Sequence, residues 1–190
     1  MTDLAIFTTD DAPLASAKIL AALKAGLGFV PNIHGVFAAS PTALKALTGL
    51  NEAFDQSSFS AAEREVISLT TSVFNECGYC VAGHSTFARM AGVSPATIGA
   101  LRANETSEDQ RLNALSRFTR ALLRKRGAID ETEMQEFMVA GFRREQMLDL
   151  LVGIAAKTMT NFASKATNTP LDMAFVDDAW APSNTPESSV

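Results

Sequence analysis

Apolar residues recur at spacings of three and four along almost the whole chain, and this periodicity limits the fold more than any other feature. There is no sustained alternation of apolar and polar residues, which is the pattern typical of half-buried strands. Pro31 and Asn32 are interpreted as a turn after the first helix. The pattern predicts helices over about 14–26, 41–55, 61–74, 78–91, 110–126, 131–140 and 144–165, with a short one from 95. We therefore expect an all-α fold.

Capping signals mark several of the predicted helix starts. Ser60 and Glu63 have the spacing of a capping box, in which each side chain bonds the other residue's backbone N–H. Asp130 and Glu133 repeat that spacing before a later helix. Ser40 precedes a proline, and serine followed by proline suits the N-cap and the first helical position. The helix starts are therefore predicted independently of the apolar pattern.

The sequence predicts one domain followed by a tail. No linker divides residues 1–176, and that length is enough for one sizeable hydrophobic core. Residues 177–190 are rich in Pro, Ser, Asn and acid, so we expect a tail that is mobile or draped over a neighbouring subunit, with Trp180 packed against that subunit. Segments 63–80 and 145–162 both have a charged start and a long apolar stripe. A duplicated helical hairpin within the bundle is therefore a further hypothesis.

Charge and hydropathy argue against several classes of partner. The formal net charge is -5 and the basic residues are scattered, whereas nucleic-acid-binding proteins usually carry a basic face. The first residues are acidic, unlike a secretory signal peptide. No apolar run approaches the roughly 20 residues of a membrane span. We therefore expect a cytoplasmic protein with no nucleic-acid or membrane partner.

The two cysteines of the chain, Cys77 and Cys80, lie three residues apart. In a reducing compartment such a pair more often does redox work or binds metal than forms a structural disulfide. At the start of a helix, exposed amides and the helix dipole favour the thiolate form. His84 lies four residues after Cys80, so both share one helix face and the imidazole can take a proton from a thiol.

Glu65 can join these residues only if the chain turns. It precedes Cys77 by twelve residues, which is about 18 Å along one straight helix. Residues 75–78 include Asn and Gly, which are weak helix formers, so a turn is expected there. Two helices meeting at an angle would let Glu65 reach back toward the thiols. There it could orient an imidazole or relay a proton.

The combined spacing resembles that of a known family. The chain has Glu65, then eleven residues, then Cys77-x-x-Cys80, then three residues and His84. This spacing is similar to the motif of the alkylhydroperoxidase D-like branch of the carboxymuconolactone decarboxylase family. Further similarity to its peroxidase-related members is found in the segments FVPNIHGVFAASPTALKAL, ARMAGVS and NFASKATNTPLD. The resemblance covers roughly residues 28–175.

The resemblance implies a single-domain helical bundle of the alkylhydroperoxidase D-like type that assembles as a trimer or hexamer. It implies that Cys80 attacks a hydroperoxide and becomes a sulfenic acid, which Cys77 resolves as a disulfide. Glu65 and His84 would then relay protons. A dithiol electron donor, such as a lipoyl group or a thioredoxin-like protein, would reduce the disulfide by exchange. No cofactor is expected.

One residue departs from the pattern of the family. Its best-known members carry a second histidine between the cysteines, where this chain has Tyr79. A tyrosine with an ordinary pKa near 10 is not a base at neutral pH, but it can donate a hydrogen bond, so Tyr79 is predicted as a site contact. Glu76 would raise the pKa of its neighbouring thiol if buried, and we expect it to be exposed.

Several alternatives remain open from the sequence. Cys77, Cys80 and His84 supply three ligands, so a zinc site would need a fourth, for which His34 is the candidate; His34 is otherwise interpreted as structural. The chain could instead be a lactone decarboxylase, the activity that names the wider family, in which the thiols would be idle. A third hypothesis is a non-enzymatic assembly that senses redox state through the cysteine pair.

Overall fold

A computed structural model describes residues 4–182, and within that range the chain is all-α, as predicted, with no strand. None of its helices is both long enough and apolar enough to cross a lipid bilayer. The α-helices are α1 (Leu14–Leu27), α2 (Asn32–Phe37), α3 (Pro41–Asp55), α4 (Ala61–Phe74), α5 (Gly78–Met90), α6 (Pro95–Arg102), α7 (Gln110–Arg124), α8 (Glu131–Val139) and α9 (Gln146–Thr167). A 3₁₀ helix, Met173–Asp178, follows α9.

The predicted capping residues are confirmed. The hydroxyl of Ser60 accepts a hydrogen bond from the Glu63 amide at 3.2 Å, and the Glu63 carboxylate accepts one from the Ser60 amide at 2.8 Å. The same reciprocal pair links Asp130 and Glu133. Ser40 caps α3 through its hydroxyl. These side chains satisfy backbone N–H groups that have no partner within a helix, which fixes where each helix begins.

Two elements differ from the sequence prediction. The turn expected at Pro31 and Asn32 is the start of the six-residue helix α2, for which Pro31 supplies an extended N-cap with φ −59°. The 3₁₀ helix at 173–178 was also not predicted. Both elements span fewer than two turns of α-helix, so too few apolar positions repeat for a period of 3.6 residues to be recognised.

Helix α4 lies at the centre of the bundle. It packs against α3, α5, α6, α7 and α9. Val66, Ile67 and Leu69 are fully enclosed in its part of the core. Burying a side chain of this size contributes roughly 1.5–3 kcal/mol relative to leaving it exposed. This central position lets α4 carry Glu65 into contact with residues of α5 and α9.

A second apolar cluster joins the N-terminal helices to the rest of the bundle. Its enclosed members include Leu20 of α1 and Leu44 and Leu47 of α3. Tyr79 of α5 and Met159 of α9 pack against this cluster. The N-terminal helices therefore cover the same region of α5 and α9 that contains the cysteines.

The C-terminal segment lies along α5 of its own chain. The ring of Phe175 packs over Gly83, where an added Cβ would lie 3.4 Å from a ring carbon. A Cβ at Gly78 would lie 2.8 Å from the carbonyl oxygen of Trp180. Trp180 itself is partly buried against the main core. Residues 183–190 of the predicted tail lie outside the described residues.

Asp178 fastens this segment to two helices. Its carboxylate accepts hydrogen bonds from Thr86 at 2.6 Å and from the guanidinium of Arg89, both on α5. Arg102 of α6 lies 3.9 Å from the same carboxylate and donates to the backbone carbonyl of Asp178 at 2.9 Å. Burial by itself raises the pKa of Asp178, but these partners outweigh it and hold the pKa below its usual value.

We expect Asp178→Asn to lower the free energy of unfolding by roughly 1–3 kcal/mol, because Arg89 and Arg102 lose a charged partner. Asp177→Asn is the matched control, since Asp177 is exposed beside it. Chemical denaturation measures both. Because the pKa is lowered on folding, the stabilisation is complete above about pH 4 and is lost as the pH falls through the lowered pKa. The critical measurement is at about pH 2 to 3, roughly one unit below the ordinary pKa of aspartate. An undiminished difference in the free energy of unfolding between parent and variant at that pH would contradict this account.

Candidate active site

The turn predicted at 75–78 is present and places Cys77 at the N-cap of α5. Glu76 turns the chain with φ 52°, a left-handed conformation that few non-glycine residues adopt, and its side chain is exposed, as predicted. The Cys77 amide donates to the carbonyl of Ser72 at 3.0 Å. The Cys77 sulfur accepts a hydrogen bond from the Cys80 amide at 3.4 Å. Both cysteines therefore lie in the first turn of one helix.

The two thiols are free, hydrogen-bonded to each other and almost fully buried, with 1% of Cys77 and 4% of Cys80 exposed. The Cys80 thiol donates to Cys77, and this bond lowers the pKa of Cys77 to about 7. Burial opposes the change, while the Cys80 amide, the Ser164 hydroxyl and the charge of Lys165 assist it. The same bond and burial raise the pKa of Cys80 well above its usual value. The first thiolate of the reduced pair therefore forms on Cys77.

Glu65 and His84 meet across the turn between α4 and α5. The Glu65 carboxylate lies 2.8 Å from Nδ1 of His84, and both side chains are largely buried. The structure thus forms two pairs from the four residues that the sequence singled out, Glu65 with His84 and Cys77 with Cys80. Their catalytic roles stay predictions at this point.

Lys157 of α9 occupies the other side of the imidazole, with Nζ 3.3 Å from Nε2 of His84. A lysine ammonium has three donors and no acceptor, so Nε2 must accept and Nδ1 must carry the proton that it donates to Glu65. Burial lowers the pKa of His84, and the nearby charge of Lys157 lowers it further, against the opposing effect of Glu65. His84 is therefore a neutral imidazole at pH 7.

Helix α9 presents a polar stripe to the thiols that sequence reasoning missed. Lys157, Asn161 and Ser164 are spaced by four and three residues, so they share one helix face. The Asn161 side chain lowers the pKa of Cys80, against the larger effects that raise it, and the Ser164 hydroxyl helps to lower the pKa of Cys77. All three side chains are buried. The available signal was polar residues repeating at helical spacing within an otherwise apolar helix.

Tyr79 acts as a bridge between three segments. Its hydroxyl donates to the Asp172 carboxylate at 2.5 Å and accepts from the Ile33 amide at 3.2 Å. Burial, followed by the bond to Asp172, raises the pKa of Tyr79, so the phenol stays protonated. Tyr79 therefore ties α2 and the C-terminal segment to the cysteine helix.

His34 of α2 was interpreted as a structural residue, and in the fold the charge of Lys157 acts on it. Both ring nitrogens are buried and lack a hydrogen-bond partner in the described part of the chain. Burial, with the charge of Lys157, lowers the pKa of His34 to about 4, so the ring is neutral. Among residues 4–182, no three His, Cys, Asp or Glu side chains are grouped as a metal site would require.

Comparison with known proteins adds family information to this geometry. Residues 41–121 match the sequence model of the carboxymuconolactone decarboxylase family, and that range contains Glu65, both cysteines and His84. This region of the chain is therefore similar to the carboxymuconolactone decarboxylase family. A search of curated protein sequences finds no match. The similarity to the family therefore lies in the segment that holds the predicted motif.

Solved structures share the alkylhydroperoxidase D-like fold over nearly the whole chain. The alkylhydroperoxidase D core of a peroxidase-related protein from Ralstonia eutropha has a TM-score of 0.83 and 20% identity, covering 91% of this chain and 93% of its own. A peroxidase-related protein from a Silicibacter species has a TM-score of 0.79 and 24% identity, with 92% of each chain covered. The debrominase Bmp8 in complex with 2,3,4-tribromopyrrole has a TM-score of 0.77 and 19% identity, covering 94% and 96%. The predicted fold is thereby confirmed.

The hydrogen bond between the thiols yields a testable titration. We expect the ultraviolet absorbance of the thiolate to titrate with a first midpoint near pH 7, because the Cys80 thiol stabilises a Cys77 anion. Cys80→Ala removes that donor and should raise the midpoint by about one pH unit. Cys80→Ser keeps a hydroxyl donor and is the matched control, which should stay closer to the parent. Equal midpoints in the two variants would contradict the proposed bond.

Proposed function

We propose that the protein is a thiol-dependent peroxidase that reduces hydroperoxides through a Cys77–Cys80 dithiol/disulfide cycle. The observation that carries the proposal is the pair of free, buried thiols in the first turn of α5, where the Cys80 amide donates to the Cys77 sulfur and the pKa of Cys77 is lowered to about 7. A thiolate, not a thiol, is the nucleophile that attacks a peroxide. The family and the fold, which include peroxidase-related proteins, support the same class of enzyme.

The reaction balances with the two sulfurs and one external dithiol. A cysteine thiolate attacks one oxygen of the hydroperoxide, the O–O bond breaks, and the departing alkoxide takes a proton to become an alcohol. The attacked oxygen stays on sulfur as a sulfenic acid. The second cysteine then attacks that sulfur, water leaves, and the disulfide forms. Two electrons from a dithiol restore both thiols by exchange.

The burial of the thiols favours small reactants. With 1% and 4% of the two cysteines exposed, a small hydroperoxide reaches them more easily than a bulky substrate does. A lipoyl group is slender enough to reach the buried disulfide as the reducing dithiol. A thioredoxin-like protein would need a local opening of the bundle for its thiol to reach the same disulfide. The pair is proposed to cycle in the reducing cytoplasm, where cysteines this close together commonly do redox work.

The two cysteines divide the roles of attack and resolution. The family resemblance gives attack to Cys80, whereas the hydrogen bonding of the reduced pair forms the first thiolate on Cys77. The neutral imidazole of His84, oriented by Glu65, is the proposed proton relay for the thiol that ionises second. Trapping of the sulfenic acid in single-cysteine variants decides the order of attack.

The proposed enzyme is a homo-oligomer, a trimer or hexamer by family resemblance. Leu148, Leu151 and Phe162 follow one face of α9 and are 60%, 40% and 60% exposed. Met173 in the following segment is 87% exposed. Large apolar side chains exposed along one face mark an interaction surface. A second copy of the chain would bury them without covering the opposite face of α9, which meets the thiols.

The decisive experiment measures hydroperoxide consumption with dihydrolipoamide as reductant. We expect Cys77→Ser and Cys80→Ser each to reduce turnover by at least about 100-fold (~2.7 kcal/mol), because the cycle needs both sulfurs. In a single turnover, the parent should lose two thiols per peroxide and gain an intramolecular disulfide, seen as a mass decrease of about 2 Da, the two thiol hydrogens lost. Sulfenic acid should be trapped in the variant that retains the attacking cysteine.

Other outcomes would contradict the peroxidase. Unchanged peroxide consumption in both serine variants would exclude the dithiol cycle. Carbon dioxide release from a muconolactone, insensitive to thiol blocking, would support a decarboxylase instead. A change of assembly on oxidation without turnover would support a redox-sensing role. A brominated pyrrole belongs in the substrate panel, because a debrominase shares the fold.

A further inference from the structure

Within residues 4–182, Lys157 is the only residue whose side chain forms a hydrogen bond with Nε2 of His84. Its ammonium lies in the interior of the bundle, with 9% of the residue exposed. An isolated charge in such a place is strongly unfavourable unless it is paired and hydrogen-bonded. A lysine held there needs a physical reason, and the groups around it supply one.

Both nitrogens of His84 are occupied in this arrangement. Nδ1 faces Glu65 at 2.8 Å and Nε2 faces Lys157 at 3.3 Å. The imidazole therefore has no free lone pair with which to take a proton from a thiol directly. Any effect of the Glu65–His84 pair on the cysteines must pass through Lys157 or wait until Lys157 releases the ring.

The charged and titratable groups that act on Lys157 come from four helices. Glu65 on α4, Cys80 on α5 and Asp55 on α3 favour the ammonium, and their effect opposes burial, which lowers the pKa of Lys157. His34 on α2 is neutral and experiences the lysine's positive charge. The charges of Glu65 and Cys80 therefore both act on Lys157, whose side chain contacts His84.

The two sulfurs have different neighbouring cations. The positive charge of Lys157 favours the thiolate of Cys80, whereas Lys165 favours that of Cys77. Cys80 is the thiol that donates to its partner and so resists ionisation. Each thiol must lose its proton during a disulfide cycle. Because the pKa of Cys80 is raised, Cys80 is the thiol whose ionisation must be favoured by its surroundings.

We infer that Lys157 is the positioning residue that couples the Glu65–His84 pair to Cys80, an inference that rests on the proposed thiol function. It fixes the His84 tautomer by donating to Nε2, and it holds the Cys80 thiolate by charge. Lys157 takes the proton released by Cys80 and gives one of its own ammonium protons to Nε2 of His84, so Lys157 stays charged and Glu65 stabilises the resulting imidazolium. No residue outside α4, α5 and α9 is needed for this step.

The first test isolates Cys80 in a Cys77→Ser background. Adding Lys157→Met should raise the pH at which Cys80 ionises and slow its alkylation at pH 7 by at least about tenfold. Lys157→Arg keeps the charge and should recover most of the rate, which a purely structural role would not predict. Lys45→Met, at an exposed position on α3, is the matched control and should leave the rate unchanged. The inference would be overturned if the Lys157→Met protein were alkylated at a rate within about twofold of that without the substitution, a difference of ~0.4 kcal/mol.

The second test takes its main readout from the parent protein. The chain has 2 histidines, so the ¹⁵N spectrum of the imidazoles contains two sets of signals, identified with His34→Gln. In the parent at pH 7, His84 should be neutral with its proton on Nδ1. In Lys157→Met, the His84 pKa should rise, because a nearby positive charge is removed. A proton on Nε2 in the parent would overturn the inference.

The two proposals can fail separately. If the parent consumes no peroxide while Cys80 alkylation and the His84 signals respond to Lys157 as expected, the peroxidase fails and the coupling stands. If peroxide is consumed through both cysteines and Lys157→Met changes neither readout, the peroxidase stands and the coupling is wrong.

Discussion

The sharp turn at Glu76 and Cys77 is the constraint on which the rest of the site depends. Because α5 starts there and folds back against α4, Glu65 meets His84 at 2.8 Å rather than lying a helix length away. The same turn exposes the first amides of α5, and the Cys77 sulfur caps the Cys80 amide by accepting its hydrogen bond. One backbone feature thus provides both the acidic thiol and the oriented imidazole. The left-handed conformation at Glu76 makes the turn possible.

Helix α9 supplies the polar environment that the cysteine helix lacks. Lys157 and Asn161 are buried on the face that meets α5, while Leu148 and Phe162 are exposed on the opposite side. A helix with polar groups inside and apolar groups outside reverses the usual arrangement of a surface helix. The inner polar groups hydrogen-bond or polarise the thiols and His84, and the outer apolar groups suit contact with another subunit. The proposed chemistry and the proposed assembly therefore share one helix.

The alkylhydroperoxidase D-like fold also controls access to the thiols. The C-terminal segment packs along α5, with Phe175 over Gly83 and the Trp180 carbonyl against Gly78. Asp178 and Asp172 hold this segment through ion-pair and hydrogen-bond contacts. Residues 173–182 of the same chain therefore cover the outer face of the cysteine helix. Small reactants, and a reductant that reaches a nearly enclosed disulfide, are the chemistry that such a cover favours.

The sequence by itself determined the features that depend on local spacing. Apolar periodicity and capping side chains located the long helices, and the four-residue spacing placed Cys80 and His84 on one face. The weak helix formers on either side of Cys77, Asn75 and Gly78, indicated the turn that brings in Glu65. The duplicated hairpin and the division at residue 176 stay predictions.

Tertiary structure decided which distant groups complete the site. Lys157 lies 73 positions from His84, and nothing in local spacing says which face of α9 would meet α5. The helix around His34 is too short to show a period, so its approach to Lys157 was equally hidden. The pKa values of the two thiols follow from burial and from one hydrogen bond whose direction exists only in the folded chain. Local order can be predicted from nearest neighbours along the chain, whereas electrostatics depends on neighbours in space.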